Sequence, residues 1–228
     1  MSSPAPADIR NQIERLTSDI IGLSLCNDQK FPSVQKLAGQ ITEVGFRGDN
    51  NLSVALKNIP YTEIYNELER VQAYNVKMLD GALIQFLYRF KKDELIKHQL
   101  AFFPSPHLDE YQNNPDIYEN DEIYAEVIKR NIVPFPLRID YDTDADVVVE
   151  LDHPMSHLTL GQYKNCRIPV SAPVTPYIFV NFILRNFYNT AFKTFCDKIQ
   201  KFDTLFSDTL VGREKGVLHF QVPREKLT

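Results

Sequence analysis

The segment Thr175–Phe202, TPYIFVNFILRNFYNTAFKTFCDKIQKF, constrains this chain more than any other. Thr175 is a good N-cap, and Pro176 stands at the first helical position, where a missing N–H costs nothing. Ile178, Phe179, Val180, Phe182, Ile183, Leu184, Phe187 and Tyr188 cover most of a helical circumference. Ala191, Phe195, Ile199 and Phe202 form only a stripe. As one helix the segment would run roughly 40 Å. Its first half should be buried deeply against a sheet and its second half more exposed. Asn181, Arg185, Asn189 and Lys193 recur every four residues as a polar ridge.

The strands that such a helix needs are legible upstream. Ile84, Phe86, Tyr88 and Phe90 alternate along ALIQFLYRF, KKDE is a hairpin turn, and LIKHQLAFF returns. His98 lies inside the returning strand with no second ligand near in sequence, which favours a structural role. LRIDYD, VVVELDHP, SHLTLG and NCRIPV follow as further short strands, and Phe206, Leu218, Phe220 and Val222 suggest a last one.

The N-terminal part reads as largely helical. Ile9, Ile13, Leu16, Ile20 and Leu23 keep helical spacing behind Asp8, a candidate cap. Asn27 to Pro32 is a loop. Val34, Leu37, Ile41 and Val44 fit a short helix, and TEVGF and LSVAL around RGDNN fit a hairpin after it. Pro60 starts a clearer helix with Tyr61, Ile64, Leu68 and Val71 on one face. The expectation is a single α+β domain over residues 1–228: an N-terminal helical part at about 8–75, then a mainly antiparallel sheet of hairpins packed on the long apolar helix at about 80–222.

Alternation also proposes a polar face. Along LRIDYD, Arg138, Asp140 and Asp142 share one side, and Ile139 and Tyr141 the other. If VVVELD returns beside it through a turn at TDAD, Asp140 meets Glu150 and Arg138 meets Asp152. Four carboxylates then face one guanidinium, and like charges opposed on a sheet cost up to about one kcal/mol per pair. A hard cation, Mg2+ or Mn2+, would relieve that excess, with Asp140, Asp142, Glu150 and Asp152 as ligands. His157 and Arg167 join the same face if the hairpins stack side by side. His157 would then act as acid or base, and Arg138 or Arg167 would engage phosphate. A structural network is the competing reading, with the arginines neutralising carboxylates and His153 capping a turn.

Composition narrows the surroundings. Net charge is −5, so no global electrostatic case for nucleic-acid binding exists, although a local basic groove is compatible with it. Between Lys97 and Lys129 there is no Lys or Arg, while Asp109, Glu110, Asp116, Glu119, Asp121 and Glu122 accumulate, giving an acidic loop suited to a lid or to docking. Cys26, Cys166 and Cys196 form no CxxC pair and read as reduced thiols. Charges interrupt every long apolar run, so no membrane contact is expected and the reading is cytoplasmic.

The combination FPSP, LRIDYD, DHPMSHLTLG, NCRIPV and FVNFILRNFY resembles a bacterial family known only as a domain of unknown function. The resemblance covers nearly the whole chain, most clearly from DGALIQFLYRF onward. It transfers no catalytic residues. It implies an association with mobile or anti-phage defence loci, hence nucleic-acid chemistry and a partner protein of the same system. Two functions are therefore expected: a metal-dependent component acting on nucleic acid or nucleotides, or a non-enzymatic adaptor that binds its partner through the acidic loop and the long helix.

Overall fold

A computed structural model describes residues 3–46, 58–108, 132–163 and 165–224. Within them the chain is α+β, built on a mainly antiparallel sheet. Helix α1 (Pro6–Gly22) leads into β1 (Cys26–Gln29), β2 (Ser33–Leu37) and β3 (Ile41–Gly45). Helix α2 (Tyr61–Arg70) is followed by β4 (Val76–Met78), β5 (Leu83–Lys91) and β6 (Glu94–Phe103). Then come β7 (Leu137–Asp142), β8 (Ser156–Leu160), β9 (Ile168–Pro169), α3 (Pro176–Phe187) and α4 (Asn189–Phe195). The sheet order is β1-β4-β5-β6-β7-β8-β9, and the β2–β3 hairpin joins through β3 to the far end of β5. The long strand β5 thus holds two short hairpin partners on one side and all of β6 on the other.

Each sheet face follows from alternation. In β5 to β8 the inner face carries Phe86, Tyr88, Phe90, Leu100, Phe102, Leu137, Ile139, Tyr141 and Leu158. These share one core cluster with Ile9, Ile13, Leu16 and Ile20 of α1 and with Phe179, Val180, Ile183 and Leu184 of α3. The opposite face is divided. At one end Leu83, Ala101 and Phe103 lie in a second apolar cluster with Ile64, Tyr65 and Leu68 of α2. At the other end it is polar, with Glu43, Arg89, Lys97, Asp142, Asp140, Arg138 and His157 side by side in register.

The N-terminal part corrects its expectation. SVQKLAGQITEVG is a hairpin, not a helix followed by a hairpin, and its turn is at LAGQ. Gly39 and Gln40 take left-handed φ of 74° and 63° there, a conformation for which glycine is the natural choice. The helical spacing of Val34 and Leu37 was coincidental, since both side chains are exposed. Asn27–Gln29, expected as loop, belong to the edge strand β1, which pairs with β4. RGDNN and LSVAL, proposed as the hairpin, lie outside the described residues, as does the acidic loop from Asp109.

The long helix is likewise two helices. It breaks at Tyr188, whose backbone (φ −134°, ψ 54°) leaves the helical region. At the break the Tyr188 side chain is held in the core, its hydroxyl proton shared between the two carboxylate oxygens of Asp80, at 3.0 and 2.9 Å. Asn186 and Asn189 also turn their amides back onto Phe182 O and Arg185 O, which weakens continuation. Downstream, Phe220 makes only an isolated parallel bridge with Val170, where a last strand was expected.

Candidate functional site

The segment VVVELD does not return along β7. Asp142 and Asp144 accept the backbone N–H of Asp144 and Asp146 in two successive local turns, 3.0 Å each. The chain then loops outward, closes on itself through the Val149–His153 bridge, and returns only at β8. Local side-chain turns here override the strand propensity of three consecutive valines. The register is therefore Asp140 opposite His157 and Arg138 opposite Thr159, not Asp140 opposite Glu150 and Arg138 opposite Asp152.

This pairing redistributes the proposed ligands. Asp142 is held by Lys97 at 2.7 Å. Glu150 lies elsewhere, accepting the backbone N–H of Arg213 at 2.7 Å. Asp152 is exposed on the loop. No group of three or more His, Cys, Asp or Glu side chains among the described residues is arranged to hold a metal ion. Asp140 alone of the four carboxylates stands beside His157.

What converges instead is Arg138, Asp140, His153, His157 and Arg167. The imidazole of His157 is buried, and its Nδ1 lies 2.9 Å from the carbonyl of Pro154. A carbonyl can only accept, so Nδ1 carries the proton and Nε2 presents its lone pair. Nε2 is 3.8 Å from Asp140 Oδ2, and Arg138 Nη2 is 3.9 Å from the same oxygen. Both separations exceed a hydrogen bond and leave room for a shared partner between the groups. The other oxygen, Asp140 Oδ1, is buried with no hydrogen-bond partner. His153 stands edge-on to His157, ring centres 4.8 Å apart.

Burial is the main force lowering the basicity of His157, opposed by the Asp140 carboxylate and reinforced by the charges of Arg167 and Arg138. His153 is lowered in the same sense, by burial first and then by His157 and Arg167. Both imidazoles are therefore biased towards the neutral form. Two guanidinium groups against one carboxylate leave this cluster with excess positive charge, the reverse of what the assumed hairpin register implied. A neutral imidazole with a free lone pair beside a carboxylate can accept a proton, and two arginines can hold an anion.

Sequence reasoning missed three participants. His153 was read only as a turn cap, and nothing in DHPMSH told that the loop would fold its ring onto His157. Lys97 was not singled out, yet register alone places it opposite Asp142. Asp80, just before β5, was not singled out either, yet its carboxyl group is buried beneath Tyr188 and its pKa pushed up to about 6 by that burial. His98, in contrast, is in the core as expected: its Nε2 accepts the backbone N–H of Val174 at 3.0 Å.

An antiparallel sheet with α1 and α3 on one face, and α2 and a polar His–Asp–Arg cluster sharing the other, defines an α+β protein with a candidate anion site. The model of the uncharacterized conserved protein family DUF2290 matches residues 25–222, and the chain belongs to that family. That match takes in every element from β1 to the C-terminal side of the sheet, the polar cluster included. No curated protein and no solved structure matches the chain. No helix among the described residues is long and apolar enough to cross a membrane.

Proposed function

We propose that the protein acts on a phosphate-bearing nucleotide or nucleic-acid ligand, working with other proteins of a bacterial defence-type system in the cytoplasm. The observation that carries this reading is Asp140, with one buried oxygen unpartnered and the other held just beyond bonding distance of both His157 and Arg138. Buried polar atoms are rarely left unpaired, so a donor that completes the set is the natural occupant. A water molecule would supply it, donating one O–H to Asp140 and giving its other proton to His157 Nε2, while Asp140 stabilises the imidazolium that forms. Arg138 and Arg167 would bind the phosphate and neutralise the charge that develops on it.

Asp142, Glu150 and Asp152 have no role in this scheme. Mg2+ or Mn2+, if it takes part, would reach Asp140 as its protein ligand together with the phosphate oxygens. The test is a panel of nucleotides and short single-stranded RNA and DNA, incubated with the full chain in the presence of Mg2+, of Mn2+ or of a chelator. Turnover should disappear in His157→Gln with ligand binding retained, and the double variant R138Q/R167Q should weaken binding about tenfold or more. Because the neutral imidazole is the active form, the rate should fall on acidification, with its midpoint below the ordinary histidine value of 6.5. Absence of any binding to phosphate compounds, with a stable co-purifying partner protein, would overturn the reading in favour of an adaptor.

A further inference from the structure

We infer that the opposite side of the same two strands binds a small amphiphilic carboxylate, a molecule with an apolar body and a single anionic end. Alternation sends Asp140 and His157 to the polar face and their neighbours Ile139 and Leu158 into a cavity of about 300 Å³ between the sheet, α3 and the C-terminal segment. That volume is at the lower end of the range of small-molecule sites, roughly 300–1,000 Å³. Val174, Phe182 and Phe220 complete an apolar chamber.

The chamber is built rather than incidental. Its C-terminal wall is anchored where Ser171 N–H donates to Phe220 O at 2.8 Å and Val222 N–H donates to Ser171 Oγ at 2.8 Å. The Phe220 N–H also donates to Pro169 O at 2.9 Å. Val174, on another wall, has its N–H held by His98 and its carbonyl by the Tyr88 hydroxyl at 2.8 Å.

One charged side chain lines the cavity, Arg185, and among the described residues no carboxylate pairs with it. Asn181 stands one turn before it on α3 and also lines the cavity. The polar ridge read from the sequence thus turns its first two members towards an apolar chamber. A cation at the mouth of a largely apolar cavity, whose other polar side chains are the uncharged amides of Asn181, Asn186 and Gln221, selects a ligand of matching polarity: hydrocarbon inside, carboxylate at Arg185. The site is independent of the phosphate chemistry proposed for the other face.

Titration calorimetry of the full chain with decanoate tests this. Saturable binding at one site is expected, weakened about tenfold in Arg185→Gln, whose exposed position leaves folding intact. Decanol, which lacks the charge, should bind about tenfold more weakly than decanoate. Ile178→Trp, which fills the chamber, should abolish binding with the circular dichroism spectrum unchanged; if that variant does not fold, the Arg185→Gln and decanol comparisons decide alone. No saturable binding to the native chain, or equal affinity of decanoate for native and Arg185→Gln proteins, would overturn the inference.

Discussion

His98 and His157 lie on opposite faces of one sheet, both buried, and their surroundings differ in kind. His98 on β6 is wedged between Tyr88 and Tyr141, ring centres 5.5 and 5.8 Å away, and its Nε2 fixes the backbone ahead of α3. Burial drives its pKa down to about 3. His157 on β8 is surrounded by charge, and its Nε2 stops 3.8 Å short of Asp140. Burial alone therefore does not separate a structural histidine from a reactive one. What separates them is whether the free nitrogen is bonded to the backbone or aimed at an ionised group that it does not quite reach.

The largest effect that tests this contrast is on stability. His98→Ala removes the acceptor for Val174 N–H and opens a hole between two tyrosines, which should cost about 2–4 kcal/mol in urea unfolding. His157→Ala should cost less: it gives up the Nδ1 bond to the Pro154 carbonyl but opens no hole between tyrosine rings. Equal losses would break the comparison by making both residues structural.

Titration gives the next test. The folded pKa of His98, about 3, is below the ordinary 6.5, so folding favours its neutral form. Its contribution is intact above pH 6.5 and is lost progressively as pH falls towards about 3. Asp80 has the opposite sign. Its carboxyl is raised from 3.8 to about 6, so the folded state holds the proton more tightly, and stability declines as pH rises between those values. Asp80→Asn keeps an acceptor for the Tyr188 hydroxyl and should unfold at higher urea than the native protein at pH 7. Its loss of stability between pH 4 and pH 6 should be flatter. A steeper decline would show that the buried carboxylate is not the titrating group.

A smaller effect belongs to the polar face. Lys97 and Asp142 form a partly exposed pair, so Lys97→Ala should cost no more than about 1 kcal/mol by thermal melting. Within the proposed site, Asp140→Asn removes the single negative charge beside two arginines. It should tighten phosphate binding while abolishing turnover, a split that a purely structural carboxylate would not produce.

Much of this protein was determined locally. The alternation of LIQFLYRF and LIKHQLAFF, with KKDE between them, specified the central β5–β6 hairpin because period-two burial admits one pairing. The stripe of Ile9, Ile13, Leu16 and Ile20 specified α1 in the same way. Alternation along LRIDYD also placed Arg138, Asp140 and Asp142 together on one face.

Which strand would lie beside that face was a tertiary matter. Local turns at Asp142 and Asp144 carried VVVELD away, so that Glu150 and Asp152 left the site and His157 took their place opposite Asp140. The contact made where α3 ends is likewise tertiary: the partner of Tyr188, Asp80, lies 108 positions away in sequence, and no local pattern encodes that pairing. Periodicity reports which way a side chain points. Only packing over long sequence distances decides what it meets there.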